Sequence, residues 1–234
     1  MNPHILGFDA DDTLWENEAR FSDAEKHFCE LMSPWADQAF ANKALLEANR
    51  TAVPQYGYGI KSFVLAMIRT AIDLSKEKIT ASTITEIMTI GDTILNSPVE
   101  LLPKVKETLE TLAVGYRLLV ITKGDIKDQL AKVDQSGLAN YFWEIEVVSE
   151  KNEDSYRSIL NRYEIPPSSF TMIGNSIVSD VLPVLAIGGR AVHIPHHTTW
   201  ELEIPNPESL SDVNFPVLQN ISEIPELLYN WPAN

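Results

Sequence analysis

Cysteine is almost absent from this chain: Cys29 is the only one in 234 residues. That excludes an intramolecular disulfide and any cysteine-based zinc cluster, and it fits a reducing compartment. Positive charge is also scarce. Lys and Arg total 18 against 33 Asp and Glu, a formal charge of −15. Such a surface repels polyanions, so general nucleic-acid binding is disfavoured. It would also repel a phosphorylated small molecule unless a local cation received it. No stretch approaches the roughly 18 uninterrupted apolar residues of a membrane span. The opening MNPHILGFDADD lacks a cationic n-region and reaches acid after a few apolar residues, unlike a signal peptide. A cytoplasmic protein without a membrane partner is the expectation.

The composition is that of a globular chain, 44% hydrophobic and 22% charged, with length enough to bury a real core. Ile5 to Phe8 is a short apolar run ending in acids and reads as a buried strand. From Glu16 to about Asn96 the pattern becomes helical. Residues 18–33, 36–50, 60–74 and 80–95 carry apolar residues at helical spacing, interrupted only by Pro54 and the glycines at 57 and 59. After Pro98 strands and helices alternate. Strands are expected at 116–122, 144–149, 170–174 and 190–194, with a further one at 217–220. Helices are expected at 103–113, 125–136, 154–163, 178–187 and 222–229, and residues 195–214 read as loop.

This alternation predicts an α/β fold with a Rossmann-like parallel sheet, helices on both faces, and an inserted helical unit. The expected division is a core of residues 1–15 and 98–234 with a helical insert at 16–97. In such sheets the chemistry sits beyond the carboxyl ends of the strands. The residues that follow the strands are Asp9, Asp11 and Asp12; Thr122 and Lys123; Lys151; and Asn175, Ser176 and Asp180. Polar groups from separate segments would thus meet at one edge.

Crowding Asp9, Asp11 and Asp12 together costs repulsion that a bound cation relieves, and hard oxygen ligands suit Mg²⁺. Lys151 and Thr122 supply the charge and the hydroxyl that a phosphoryl group needs. A carboxylate can serve as the nucleophile. The plainer reading of DADD is a solvated turn or helix N-terminus, where acids are favoured. A calcium loop fails, because the sixth position counted from Asp9 is Leu14 rather than Gly.

The same residues resemble a family. FDADDTLW is similar to the first motif, hhhDxDxT, of the haloacid dehalogenase-like (HAD) hydrolases. LLVITKG resembles the second motif at Thr122, SEKNEDSY the third at Lys151, and TMIGNSIVSD the fourth, usually GDxxxD or GDxxxxD. The helical insert lies where that family carries an α-helical cap. The resemblance implies a phosphatase of small phosphorylated metabolites, with nucleotide or sugar phosphates as candidate substrates. In it Asp9 is the nucleophile and Asp11 the general acid and base. Thr122, Lys123 and Lys151 bind phosphate. Mg²⁺ is held by Asp9, Asp11 (through its backbone carbonyl), Asn175 and Asp180. One departure stands out: Asn175 replaces the usual Asp after the motif's Gly, leaving open whether Asn175 or Asp180 contacts the metal directly.

Dehalogenases of the family lack an acid two positions after the nucleophile, so Asp11 favours phosphoryl transfer. A metal-independent haloacid dehalogenase and a non-catalytic phosphate-binding module remain as alternatives. Three further features carry weaker signals. His193, His196 and His197 in VHIPHH read as polar residues of a strand-end loop in preference to a metal site. Tyr56, Tyr58 and Lys61 could face substrate or pack as a helix–helix loop. Cys29 is expected to be a small core residue.

Overall fold

The computed structural model describes residues 4–210 and 213–231. In chain order its regular elements are β1 (Ile5–Phe8), α1 (Glu18–Leu31), α2 (Gln38–Tyr56), α3 (Ile60–Leu74), α4 (Ala81–Leu95), α5 (Val105–Leu112) and β2 (Arg117–Lys123). They continue with α6 (Ile126–Gln135), β3 (Glu144–Val148), α7 (Glu153–Arg162) and β4 (Phe170–Gly174). A π-helical turn (Ile177–Val181), α8 (Leu182–Ala186), β5 (Arg190–His193) and α9 (Ile224–Asn230) complete the order. No helix among the described residues is long and apolar enough to cross a membrane.

Two compact units divide the chain. The first comprises Met1–Glu18, Val99–Lys123 and Gln129–Asn234; the second comprises Ala19–Pro98 with Gly124–Asp128. The first unit holds a five-stranded sheet in the order β3-β2-β1-β4-β5. Every pairing is parallel. β1, the central strand, is apolar along its whole length and buried at every position, as a parallel strand covered on both faces must be. Alternation sends its side chains to opposite layers. Leu6 and Phe8 pack with Leu118, Val120, Val105, Leu109 and Ile224 on one side. Ile5 packs with Leu119, Ile121, Tyr156, Ile159 and Phe170 on the other.

The second unit is helical and has its own core, in which Phe28, Met32, Leu45, Met67 and Ile87 are fully buried and Cys29 nearly so. Asp37 and Thr80 cap α2 and α4 by accepting the backbone N–H of Phe40 and Thr83. Lys61 pairs with Asp125 at 2.6 Å within this unit, while Tyr56 is exposed.

Three local expectations give way. α2 runs through Pro54 to Tyr56. Proline removes one amide donor, and in the last turn that loss is small, because the Gly57 N–H still closes the helix on the Val53 carbonyl at 2.9 Å. The strand expected at 217–220 shrinks to a single bridge between His193 and Val217. Its neighbour Pro216 accepts from His193 N–H but has no N–H to donate onward. The helix expected at 178–187 splits into the π turn and α8, for a reason given with the site below.

Phe28 is the clearest test of the helical core. Truncating it to Ala should cost about 3–5 kcal/mol, read as a lowered urea midpoint with circular dichroism at zero denaturant unchanged in shape.

Candidate active site

All strands run the same way, so their carboxyl ends share one edge. The chain steps outward from β1 to β2 and β3 on one side and to β4 and β5 on the other. The crevice outside the strand ends at that reversal is where open α/β sheets bind ligands. Asp9 follows β1 there and is held in line with β4 by its own N–H, which donates to the Ile173 carbonyl at 2.9 Å. Thr122 and Lys123 end β2. Lys151 lies between β3 and the Asn152 cap of α7, and Asn175 follows β4.

At the centre sits the Lys151 ammonium. It donates to Asp9 Oδ1 and, at 2.7 Å, to Asp180 Oδ1. All three groups are buried: Asp9 is 7% exposed, Lys151 5% and Asp180 1%. Burial pushes the Asp9 carboxyl up to about 7, with Lys151 opposing and Asp180 adding to the rise. Burial alone would lower the Lys151 ammonium, but its two carboxylate partners raise it well above the ordinary lysine value. Lys151 therefore stays charged.

Asp180 reaches this position through the π turn. Its Oδ2 accepts the N–H of Ser176 at 3.0 Å, and its own N–H donates to the Ser176 carbonyl at 2.8 Å. Ser176 Oγ also accepts the N–H of Ser179 at 3.1 Å, and the Tyr156 hydroxyl donates to the Ser179 carbonyl at 3.0 Å. The widening lies in the next bond, from the Leu182 N–H to the Ile177 carbonyl five residues back, and Pro183, with no N–H to donate, leaves the Ser179 carbonyl to Tyr156. Such π turns recur at functional sites.

Thr13 joins Asp9 to Asn175. Its hydroxyl accepts the Asn175 N–H at 3.1 Å and lies 3.2 Å from Asp9 Oδ2 and 3.3 Å from Asn175 Oδ1. Thr122 is 1% exposed, and its hydroxyl donates to Gln129 Oε1 at 3.3 Å. Lys123 is engaged elsewhere: its ammonium pairs with Glu203 and donates to Ser179 Oγ at 2.8 Å. Burial would raise the Glu203 carboxyl, but Lys123 brings it below its ordinary value.

Asp11 and Asp12 diverge. Asp11 accepts from Trp15 Nε1 at 2.7 Å, from Gln129 Nε2 at 2.8 Å and from Lys132 Nζ at 3.1 Å. Burial would raise its carboxyl, but Lys132 and these donors hold it below its usual value. Asp12 takes a left-handed backbone, φ 62°, and its Oδ1 accepts the N–H groups of Asn17 and Glu18 at 2.8 and 3.0 Å. It thus serves the start of α1.

Residues 4–188 match the haloacid dehalogenase-like hydrolases. A haloacid dehalogenase-like family hydrolase of Xanthomonas campestris is 36% identical, with a TM-score of 0.86 over 97% of this chain and 91% of that one. The chain belongs to the haloacid dehalogenase-like hydrolases. More distant structures share the HAD fold. One is a protein of Bacillus subtilis described as a HAD hydrolase and bound to magnesium (16% identity, TM-score 0.69, 98% of this chain and 100% of that one). Another is a 2-haloacid dehalogenase of Pseudomonas syringae (22% identity, TM-score 0.64, 98% and 100%). No curated protein matches the chain.

Several members of this HAD site escape sequence reasoning. Gln129 and Lys132 stand one turn apart on α6, and that spacing puts both on one face, but nothing in α6 marks Asp11 as their partner. Glu203 lies in a segment expected to be plain loop. Thr13 was visible as the Thr of DxDxT, with its link to Asn175 hidden. For a metal, the donor set is Asp9, Asp180 and the amide oxygen of Asn175. Two buried carboxylates share one ammonium, which leaves an uncompensated negative charge among hard oxygens. That chemistry fits Mg²⁺.

Gly174 tests this packing. A Cβ there would overlap the Asp180 carboxyl, which Lys151 and Ser176 hold in place. Gly174→Ala should lower stability by about 1–3 kcal/mol in denaturant titration. Gly115→Ala, with nothing within 4 Å of its Cβ, should stay within ~0.5 kcal/mol of wild type.

Proposed function

We propose that this HAD hydrolase is a Mg²⁺-dependent phosphatase of small phosphomonoesters. The observation that carries the reading is the buried Asp9–Lys151–Asp180 cluster at the strand ends, with a second acid, Asp11, two residues beyond Asp9. A dianionic phosphate needs a cation in a protein this acidic, and Lys151 is a charged one at the site.

The chemistry runs in two displacements. A carboxylate oxygen of Asp9 bonds to phosphorus while the bond to the alcohol oxygen breaks. Asp11 gives that oxygen its proton. Water then attacks phosphorus, passes a proton to Asp11, and the bond to Asp9 breaks to release phosphate. Lys151 and the Thr122 hydroxyl hold phosphoryl oxygens as charge develops. Bound Mg²⁺ would neutralise phosphoryl charge and hold Asp9 ionised. Asp9, Asp180, Asn175 and the Asp11 carbonyl are its proposed ligands. Lys123, already balanced by Glu203, is assigned a supporting part at the edge of the phosphate site.

Asp11 at rest is an ionised carboxylate under Lys132. Acting as an acid requires it to leave Lys132 and take up a proton. Asp11 also argues against dehalogenation: expelling a halide needs no proton, whereas an alkoxide leaving group does.

With a generic aryl phosphate and Mg²⁺, wild type should turn over. Asp9→Asn should lose at least about 10³-fold in kcat with its circular dichroism unchanged. A chelator should abolish turnover, and Mg²⁺ should restore it. Chelator-resistant release of chloride from 2-chloropropionate would instead identify a dehalogenase. Phosphate binding without turnover across a broad phosphoester panel would identify a binding module.

A further inference from the structure

A second cluster of ligating side chains lies in the sheet-bearing unit and has no part in the chemistry above. Glu16, His196 and His197 each bring one ligand atom to a common point, all within 4.8 Å of one another. His196 Nε2 is 3.2 Å from Glu16 Oε1, and His197 Nε2 is 3.7 Å from the same oxygen. The His196 side chain is 4% exposed. Its Nε2 and the buried Glu16 Oε1 nevertheless have no hydrogen-bond partner.

The tautomer sharpens the case. His196 Nδ1 lies 3.0 Å from the Thr198 carbonyl and 3.4 Å from the Thr198 amide nitrogen; the shorter contact is to the acceptor, and the tautomer that satisfies it has Nδ1 donating. In that tautomer Nε2 presents a lone pair towards the lone pairs of Glu16 Oε1, with Asp12 Oδ1 3.6 Å from the same nitrogen. Two acceptors face each other in a buried place, a contact that costs free energy unless something positive lies between them. A ring nitrogen fixed by a carbonyl on its far side is the usual outer support of a metal-ligating histidine.

The spacing agrees. Zinc binds imidazole nitrogen and carboxylate oxygen at roughly 2.0–2.2 Å in tetrahedral sites, which sets neighbouring donors about 3.3–3.6 Å apart. The observed 3.2 and 3.7 Å bracket that range. Imidazole ligands select a transition ion over Mg²⁺. His197 is 67% exposed, so the site opens to solvent on its side and a water can complete the fourth position.

We propose that Glu16, His196 and His197 form a Zn²⁺ site separate from the acidic cluster at Asp9. Zinc there ties the segment after β1 to the loop after β5 and stabilises the fold. The inference is independent of the proposed phosphatase activity.

Tag-free, metal-stripped full-length protein should be titrated with Co²⁺ in excess Mg²⁺, on the Asp9→Asn background so that the acidic cluster is disabled. The expected result is one Co²⁺ per chain with the intense visible bands of tetrahedral coordination, displaced by Zn²⁺, and a thermal midpoint raised by Zn²⁺. His197→Ala, at an exposed position, should fold normally and weaken Zn²⁺ binding by at least about tenfold. Glu16→Gln should do likewise. Absence of tetrahedral bands, or unchanged Zn²⁺ affinity in His197→Ala and Glu16→Gln, would overturn the site and leave a protonated His196 ion-paired with Glu16 as the account of the cluster.

Discussion

Everything at the strand ends is organised around one buried cation. Lys151 bridges Asp9 and Asp180, and so joins the segments that follow β1, β3 and β4. Burying these charges is costly, and only close pairing offsets the cost. Removing Lys151 would leave two acids facing each other in the interior with no cation between them, whereas removing either acid would leave a matched pair. The neighbouring bonds serve that pairing. Thr13 holds Asp9 beside Asn175, the π turn folds Asp180 back on Ser176, and Tyr156 braces the turn from α7.

Around this centre the polar groups are layered by charge. Lys123 is matched to Glu203, and Lys132 to Asp11. The site therefore contains three lysines, each with an acid, inside a protein of charge −15. The helical unit, by contrast, contributes its own apolar core and surface ion pairs such as Lys26–Asp23, which are worth little in stability.

Much of this was legible beforehand, for physical reasons. The apolar run at Ile5–Phe8 reads as a covered strand, and the acids after it are then expected at the sheet edge. Strand and helix alternation fixed parallel pairing, because a parallel connection needs a crossover. What stayed hidden depended on distant partners. Asp11 was readable as an acid, but its captivity by Lys132 and Gln129 depends on how α6 packs. Asp180 was readable as a motif acid, but the π turn it sits in depends on the Leu182 N–H reaching back to the Ile177 carbonyl. The loop after β5 showed three histidines, and only the fold separates them. His193 bonds the Asn175 carbonyl, while His196 and His197 converge on Glu16.

The left-handed backbone of Asp12 has a further consequence. Reversing φ at one residue turns two consecutive carboxylates to different employers, Asp11 towards α6 and Asp12 towards the amides that begin α1. Side chains branched at Cβ are barred from that conformation by their own bulk, whereas Asn tolerates it and still offers an oxygen to an amide. The position is therefore constrained by architecture as tightly as its neighbours are by chemistry. Variation at Asp12 should track the integrity of the turn, whereas Asp11 answers to its own partners, Lys132, Gln129 and Trp15.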